Sequence, residues 1–344
     1  MMLKLLTRLV GGALCLLLAG TEAQAFEKVK FINFSDMHLS LKGKNAMKMG
    51  SSSEEIVKTC VQVANQTPEL DFVLLTGDLL QDGEPYNLDM IRYYLDQLKV
   101  PYYVVPGNHD MSPVHAHDAQ APIFPGISKT VFVWAFQGHG FQGPEYHWSA
   151  DPVPGLHLVG IDTTLPGTWG GQVPEKEMRW LEQDLKKNQG KLILPLSHHN
   201  FIEQTPDDHD KTQNFVVANA KAVRSVFEKY RPQVQFVISG HHHLVGLRQH
   251  QGIAYFSNPS TTTWPMMYTE YELTPKQLHY ASKFLPLAPA LQEEAHRNLL
   301  TDTWWRPSQA APGKAGDALL EAQFLGEAHE RQGILALQPW NQAP

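Results

Sequence analysis

Residues Val237-Ile238-Ser239-Gly240-His241-His242-His243-Leu244 carry an apolar run into a glycine and three consecutive histidines. Imidazoles crowd together at a cost unless an electron-poor centre sits among them. The same pattern, an apolar run ending in polar residues, recurs along the chain. Val29–Phe34 leads to Asp36 and His38, and Phe72–Leu75 leads to Gly77-Asp78. Tyr102–Val105 leads to Gly107-Asn108-His109-Asp110, and Leu192–Leu196 leads to His198-His199-Asn200. Short apolar runs of this kind predict buried strands. The segments Ser53–Ala64, Tyr86–Leu98, Glu175–Lys187 and Phe215–Tyr230 between them carry helical periodicity. Strands alternating with helices predict an α/β fold with a largely buried sheet. Later strands near Gly252–Ser257, Met267–Leu273 and Gln277–Ser282, with no helix between them, predict that the sheet is mixed.

In open α/β sheets, ligand sites gather beyond the carboxyl ends of the strands. Five strand ends here would deliver seven donors to one rim: Asp36, His38, Asp78, Asn108, His198, His241 and His243. In an extended segment, residues i and i+2 project to one side, so Asp36 with His38, and His241 with His243, can face one ion or two adjacent ions. Seven donors exceed one transition-metal ion. If one carboxylate bridges, they supply four bonds to each of two ions. The mixed nitrogen and oxygen set suits Zn, Mn or Fe and argues against an all-oxygen calcium site. His242 would face away.

The order D-x-H, G-D, G-N-H-D, H and G-H-x-H closely resembles the calcineurin-like metallophosphoesterase family, with motifs running from Asp36 to His243. The resemblance implies a four-layer αββα sandwich of two mixed sheets with a binuclear metal site on its rim. It implies one ion held by Asp36, His38, Asp78 and His243, and a second by Asp78, Asn108, His198 and His241. It implies phosphoester hydrolysis by a hydroxide between the ions, with His109 near the leaving-group oxygen. Asp110 would orient His109 by carboxylate–histidine logic. At His198-His199-Asn200 the family more often shows H-H-P, with the first histidine ligating, and His198 is the expected ligand.

Gly83 stands where protein serine/threonine phosphatases of this superfamily carry an arginine. Their G-N-H-E motif also has Asp110 here. Ile161-Asp162-Thr163, Gly170-Gly171, Met178-Arg179-Trp180-Leu181 and Pro259-Ser260-Thr261 resemble the bacterial class III cyclic nucleotide phosphodiesterase branch. A phosphodiester is therefore the expected small-molecule substrate. The alternatives are a broad-specificity phosphomonoesterase and a non-catalytic metal-binding envelope protein. Trp134, Trp148 and Trp169 are candidates for lining a pocket, with core packing or loop anchoring as the default.

The 344 residues carry a formal net charge of −7, which argues against binding a nucleic-acid polymer. Lys4 and Arg8 precede the apolar run LVGGALCLLLAG, and Ala23-Gln24-Ala25 offers an A-x-A cleavage site. Residues 1–25 read as a secretory signal peptide, predicting a periplasmic or secreted product with no transmembrane segment in its mature part. Residues 26–285 form the expected phosphoesterase domain, and 286–344 an extension expected to be peripheral or partly disordered. Met111–Phe141, rich in Pro, His and Gly, reads as a long loop or small insertion that includes His115 and His117.

Overall fold

The computed structural model of the chain describes residues 26–111, 126–208, 215–303, 305–306 and 311–340. The expected leader, His115 and His117 lie outside those residues. Twelve strands are described: β1 (Val29–Phe34), β2 (Phe72–Leu75), β3 (Tyr102–Val104), β4 (Trp148–Val153), β5 (Leu156–Gly160), β6 (Leu192–Leu196), β7 (Phe236–Ser239), β8 (Gly246–His250), β9 (Ile253–Ser257), β10 (Met267–Leu273), β11 (Gln277–Phe284) and β12 (Gln332–Ala336). They form two six-stranded sheets, ordered β12-β11-β10-β1-β2-β3 and β4-β5-β6-β7-β9-β8. Both sheets are mixed, as expected. In the first, β1, β2 and β3 are parallel, while β10, β11 and β12 run antiparallel. In the second, β5, β6, β7 and β9 are parallel, flanked by antiparallel β4 and β8.

The alternation of side chains along each strand builds the layers. Leu158, Leu194 and Ile238 point into the core shared with Phe31 and Leu74 of the other sheet. Their neighbours Val159, Ile193 and Val237 point outward, onto Leu181 of helix Glu175–Lys187 and Val223 and Phe227 of helix Ala220–Lys229. Helices Ser53–Gln66 and Pro85–Leu95 cover the first sheet through Ile56, Cys60 and Ile91. Cys60 is buried, and burial pushes its thiol upward, as an inert core thiol requires.

Within Met111–Phe141, Lys129–Ala135 is a helix whose N-cap Ser128 accepts from Val131 N at 3.3 Å. The described part of the C-terminal extension is not peripheral. Helices Pro289–Thr301 and Lys314–Leu325 pack against the domain, and β12 completes the first sheet alongside β11. Trp340 is buried and stacks on Phe26. A second small core of Met47, Leu244, Leu299, Leu320 and Phe324 ties the helices down.

Candidate metal centre

All seven expected donors are buried and lie just past the ends of β1, β2, β3, β6 and β7. They gather into two groups that share one residue. Ligand atoms of Asp36, His38, Asp78 and His243 lie within 4.8 Å of one another, as do those of Asp78, His198 and His241. In the first group, His38 Nε2 is 3.1 Å from His243 Nε2 and 3.6 Å from Asp78 Oδ2, and His243 Nε2 is 3.3 Å from Asp36 Oδ1. In the second, His198 Nε2 is 3.0 Å from Asn108 Oδ1, 3.1 Å from His241 Nδ1 and 3.3 Å from Asp78 Oδ1. Asp78 therefore turns one oxygen to each group.

These separations fit ions. Nitrogen and oxygen ligands at metal-bond length stand roughly 3.0–3.6 Å apart around one centre. Nor do paired imidazole nitrogens, each aimed at the other, make a sensible buried contact between two lone pairs. The outer nitrogens support the same orientation. His198 Nδ1 donates to Thr76 O at 2.7 Å, and His243 Nδ1 is 3.0 Å from Thr263 Oγ1, leaving each Nε2 lone pair facing inward.

The paired residues face their groups through backbone kinks and not through the alternation of an extended strand. Asp36, His38, Asp78, His241 and His243 all have positive φ, between 39° and 69°. Each chain segment kinks through the left-handed region instead of continuing as a strand, and the side chains converge. The glycines make room. A Cβ on Gly107 would lie 2.1 Å from Asp78 N, and one on Gly77, itself at φ 84°, would lie 2.6 Å from His198 Nδ1.

The choice of His198 over His199 is geometric. His199 spends Nδ1 on Thr163 Oγ1 at 2.8 Å and Nε2 on Trp169 O at 3.0 Å. His242, as expected, turns away. Its Nε2 pairs with Asp208 at 2.6 Å and its ring stacks on Phe215.

Asp110 does not orient His109, which corrects the sequence expectation. Its Oδ1 accepts from Leu79 N and Leu80 N at 2.7 and 2.9 Å, and its Oδ2 from Gly107 N at 2.8 Å. It braces the loops behind the centre. The carboxylate facing His109 is Asp82, with Oδ1 3.5 Å from Nδ1. A tetrapeptide motif shows neighbours in sequence, whereas Asp82 arrives from the loop after β2.

Lys48 was also missed, being one of several lysines in a polar loop. Its Nζ lies 3.0 Å from His109 Nε2 and 3.3 Å from His38 Nδ1. Burial lowers its ammonium to about 8, against the pull of Asp78 and Asp36. Burial, with Lys48 next, also holds His38 and His109 below the ordinary imidazole range. Burial lowers His243 too. These rings are neutral, with lone pairs available. Burial opposes charge on His198, yet the adjacent Asp78 raises it to about 9, so Nε2 carries a proton that a bound ion would displace. Among the tryptophans, Trp169 lies beside His109. Trp148 is a core anchor donating to Val104 O at 2.7 Å, and Trp134 is exposed on the surface.

Five strand ends, two donor groups and a shared carboxylate define a binuclear metallophosphoesterase, a hydrolase that uses two metal ions. The family model of calcineurin-like phosphoesterases matches residues 29–245, and the chain belongs to that family. It is 24% identical over 288 residues to the 3',5'-cyclic adenosine monophosphate phosphodiesterase CpdA of Escherichia coli, covering 83% of this chain and 95% of that one. It is 26% identical over 216 residues to the protein named "Probable glycerophosphodiester phosphodiesterase GpdQ" of Arcobacter nitrofigilis, covering 62% and 71%. Its fold is similar to that of a dimetal phosphatase from Danio rerio, with TM-score 0.58 and 18% identity over 74% of this chain and 95% of that one.

Proposed function

We propose that the chain is an exported phosphodiesterase acting on a small-molecule diester, of the cyclic nucleotide or glycerophosphodiester kind. The carrying observation is the shared Asp78 with its two donor groups and with His109 beside them. One ion would be held by Asp36, His38, Asp78 and His243, the other by Asp78, Asn108, His198 and His241. Mn, Fe and Zn suit these donors. Two such cations would supply Lewis acidity at the phosphoryl oxygen and activate the attacking water. The protein's own residues do the rest. Asp78 fixes the spacing of the two sites, with His109 N donating to its Oδ1 at 2.8 Å. His109, backed by Asp82 and with the Lys48 ammonium 3.0 Å from its Nε2, would relay a proton from that ammonium to the leaving oxygen. Lys48 places positive charge on the same side.

The diester reading is supported by Gly83 in the arginine position and by the printed names of the two relatives. Lys48 favours a second reading, a broad-specificity phosphomonoesterase, because an added cation helps a dianionic group most. The test is kcat/KM on bis-p-nitrophenyl phosphate and on p-nitrophenyl phosphate under one metal condition, each divided by its uncatalysed rate. A larger acceleration for the diester is expected, and a larger one for the monoester would overturn the diesterase reading. The export reading rests on residues 1–25, and among the described residues no helix is long and apolar enough to cross a membrane. Fractionation of expressing cells checks it, with the processed chain expected outside the cytoplasm.

A further inference from the structure

Above the two donor groups lies a cavity of ≈ 510 Å³, within the range of small-molecule sites. Its floor includes Asp78, His241 and His243, and its lining carries the rings of Trp169, Phe215 and Trp305. On one side the Trp169 ring is 5.1 Å from that of His109, nearly edge-on at 76°. On the other, Trp305 lies over His243, 5.2 Å away and inclined by only 23°, with Phe215 5.5 Å from it. Trp305 comes from the segment beyond β11, sixty residues past the end of the family match at Val245.

That wall is built into the fold. Trp305 N donates to Asp302 Oδ1 at 3.2 Å. The next residue, Arg306, is buried, and its Nη2 reaches Leu300 O at 2.5 Å and Asp317 Oδ1 at 2.7 Å. Phe324 of helix Lys314–Leu325 meets the Trp305 indole at 5.9 Å, near a T-shape.

We propose that Trp305, with Trp169 across the cavity, is the specificity-determining wall of the site, and that it takes the planar base of a nucleoside phosphoester. The proposal rests on the phosphoesterase reading and selects among its substrates. A base of any sequence offers a π-face, and stacking it on indole is favourable. A glycerol substituent instead carries hydroxyls that need polar partners. The polar groups on the lining, Lys44, Gln81 and Asp302, are as open to a ribose hydroxyl as to a glycerol one, so the aromatic rings are what separates the two. Aromatic walls also attract quaternary ammonium groups. Here, however, Lys44 and Lys48 line the same cavity and repel a cationic head group.

The test separates the ring from the bond cleaved. Adenosine 5'-monophosphate and glycerol 3-phosphate present the same phosphate, with and without a base. Their dissociation constants are measured by calorimetry on the metal-loaded full chain and on Trp305→Ala, Trp305→Phe and Trp169→Ala. The nucleotide should bind at least about tenfold more tightly to the parent chain. Trp305→Ala should weaken the nucleotide about tenfold while moving glycerol phosphate less than about twofold, and Trp305→Phe should retain most of the difference. Trp169→Ala, which leaves the C-terminal segment intact, should show the same ring-selective loss. Equal weakening of both ligands in Trp305→Ala and Trp169→Ala, or no nucleotide preference in the parent chain, would overturn the proposal. Because both probes are monoesters, the comparison is read as dissociation constants if they are not turned over and as kcat/KM if they are, so it stands whichever way the diester comparison falls.

Discussion

His109 faces Asp82, not the aspartate that follows it in sequence. Nδ1 of His109 is 3.5 Å from Asp82 Oδ1, while both oxygens of Asp110 are engaged by backbone N–H groups of Gly107, Leu79 and Leu80. The two carboxylates therefore have separable effects. Asp82→Asn should keep both metals and the melting temperature, and slow turnover by about tenfold or more through a misplaced imidazole. Asp110→Ala leaves three buried donors without their acceptor and should destabilise the fold by roughly 3 kcal/mol or more. Metal analysis, thermal unfolding and kinetics on the two variants check this. Unchanged stability in Asp110→Ala would refute the bracing role.

His109→Ala should retain two metals and lose about 10²–10⁴ in rate on esters with poor leaving groups. The loss should shrink for nitrophenyl esters, which need little protonation on departure. A plot of rate loss against leaving-group pKa gives the answer, and a flat line would assign His109 to positioning.

Lys48→Met removes the cation beside His109 and its contact with His38 Nδ1, while all seven proposed metal donors stay in place. The metal content should be preserved and kcat/KM should fall, by roughly 10–100-fold. The loss should be larger for a monoester than for its diester, since the dianion gains more from a local positive charge. Equal losses on the matched pair would show that Lys48 does not sense substrate charge.

Asp78→Ala should lose both ions, because each group borrows one of its oxygens. His38→Ala should weaken mainly the ion held with Asp36 and His243. Two tightly held metals in purified Asp78→Ala would end the bridge assignment.

Asp208 links the histidine triplet to acid stability. It accepts from His242 Nε2 at 2.6 Å, Gln204 N at 2.7 Å and Thr205 Oγ1 at 2.6 Å. Burial works against its charge, yet His242 and these donors outweigh it and lower the carboxyl from 3.8 to about 2. A depressed folded-state value stabilises fully above the unfolded value and loses that contribution as pH falls toward 2. It amounts to about 2 kcal/mol. Unfolding free energies of parent and Asp208→Asn, compared in chelator from pH 5 to 2.5, should converge on the acid side. A gap independent of pH would refute the linkage.

The ligand-bearing strands were legible because β1, β2, β6 and β7 are almost wholly buried and therefore read as unbroken apolar runs. The missed strands β4, β8 and β12 lie at sheet edges. Their side chains are half exposed and their sequences correspondingly polar, as in Gly246–His250. The seven donors were visible because each follows such a run. Their partners were not. Lys48, Asp82 and Trp305 reach the centre only through tertiary packing, from segments without periodic signal. Lys48 depends on a loop held by the C-terminal helix, where Asn298 Nδ2 donates to Ala46 O at 2.9 Å and Asn45 Nδ2 to Glu294 Oε1 at 3.0 Å.

The left-handed backbone at Asp36, His38, Asp78, His241 and His243 makes the rim locally frustrated within an otherwise consistent fold. The chain leaves β1, β2 and β7 in the conformation their residues prefer and then enters one that the functional side chains disfavour, by on the order of 1–3 kcal/mol per residue. Glycine would relax every one of these positions. A search for thermostable variants that scored backbone comfort alone would select them first, and each gain would erase a donor. Stability and chemistry thus compete at the same five residues, and the ordinary strands behind them supply the rigidity that keeps the competition settled in favour of chemistry.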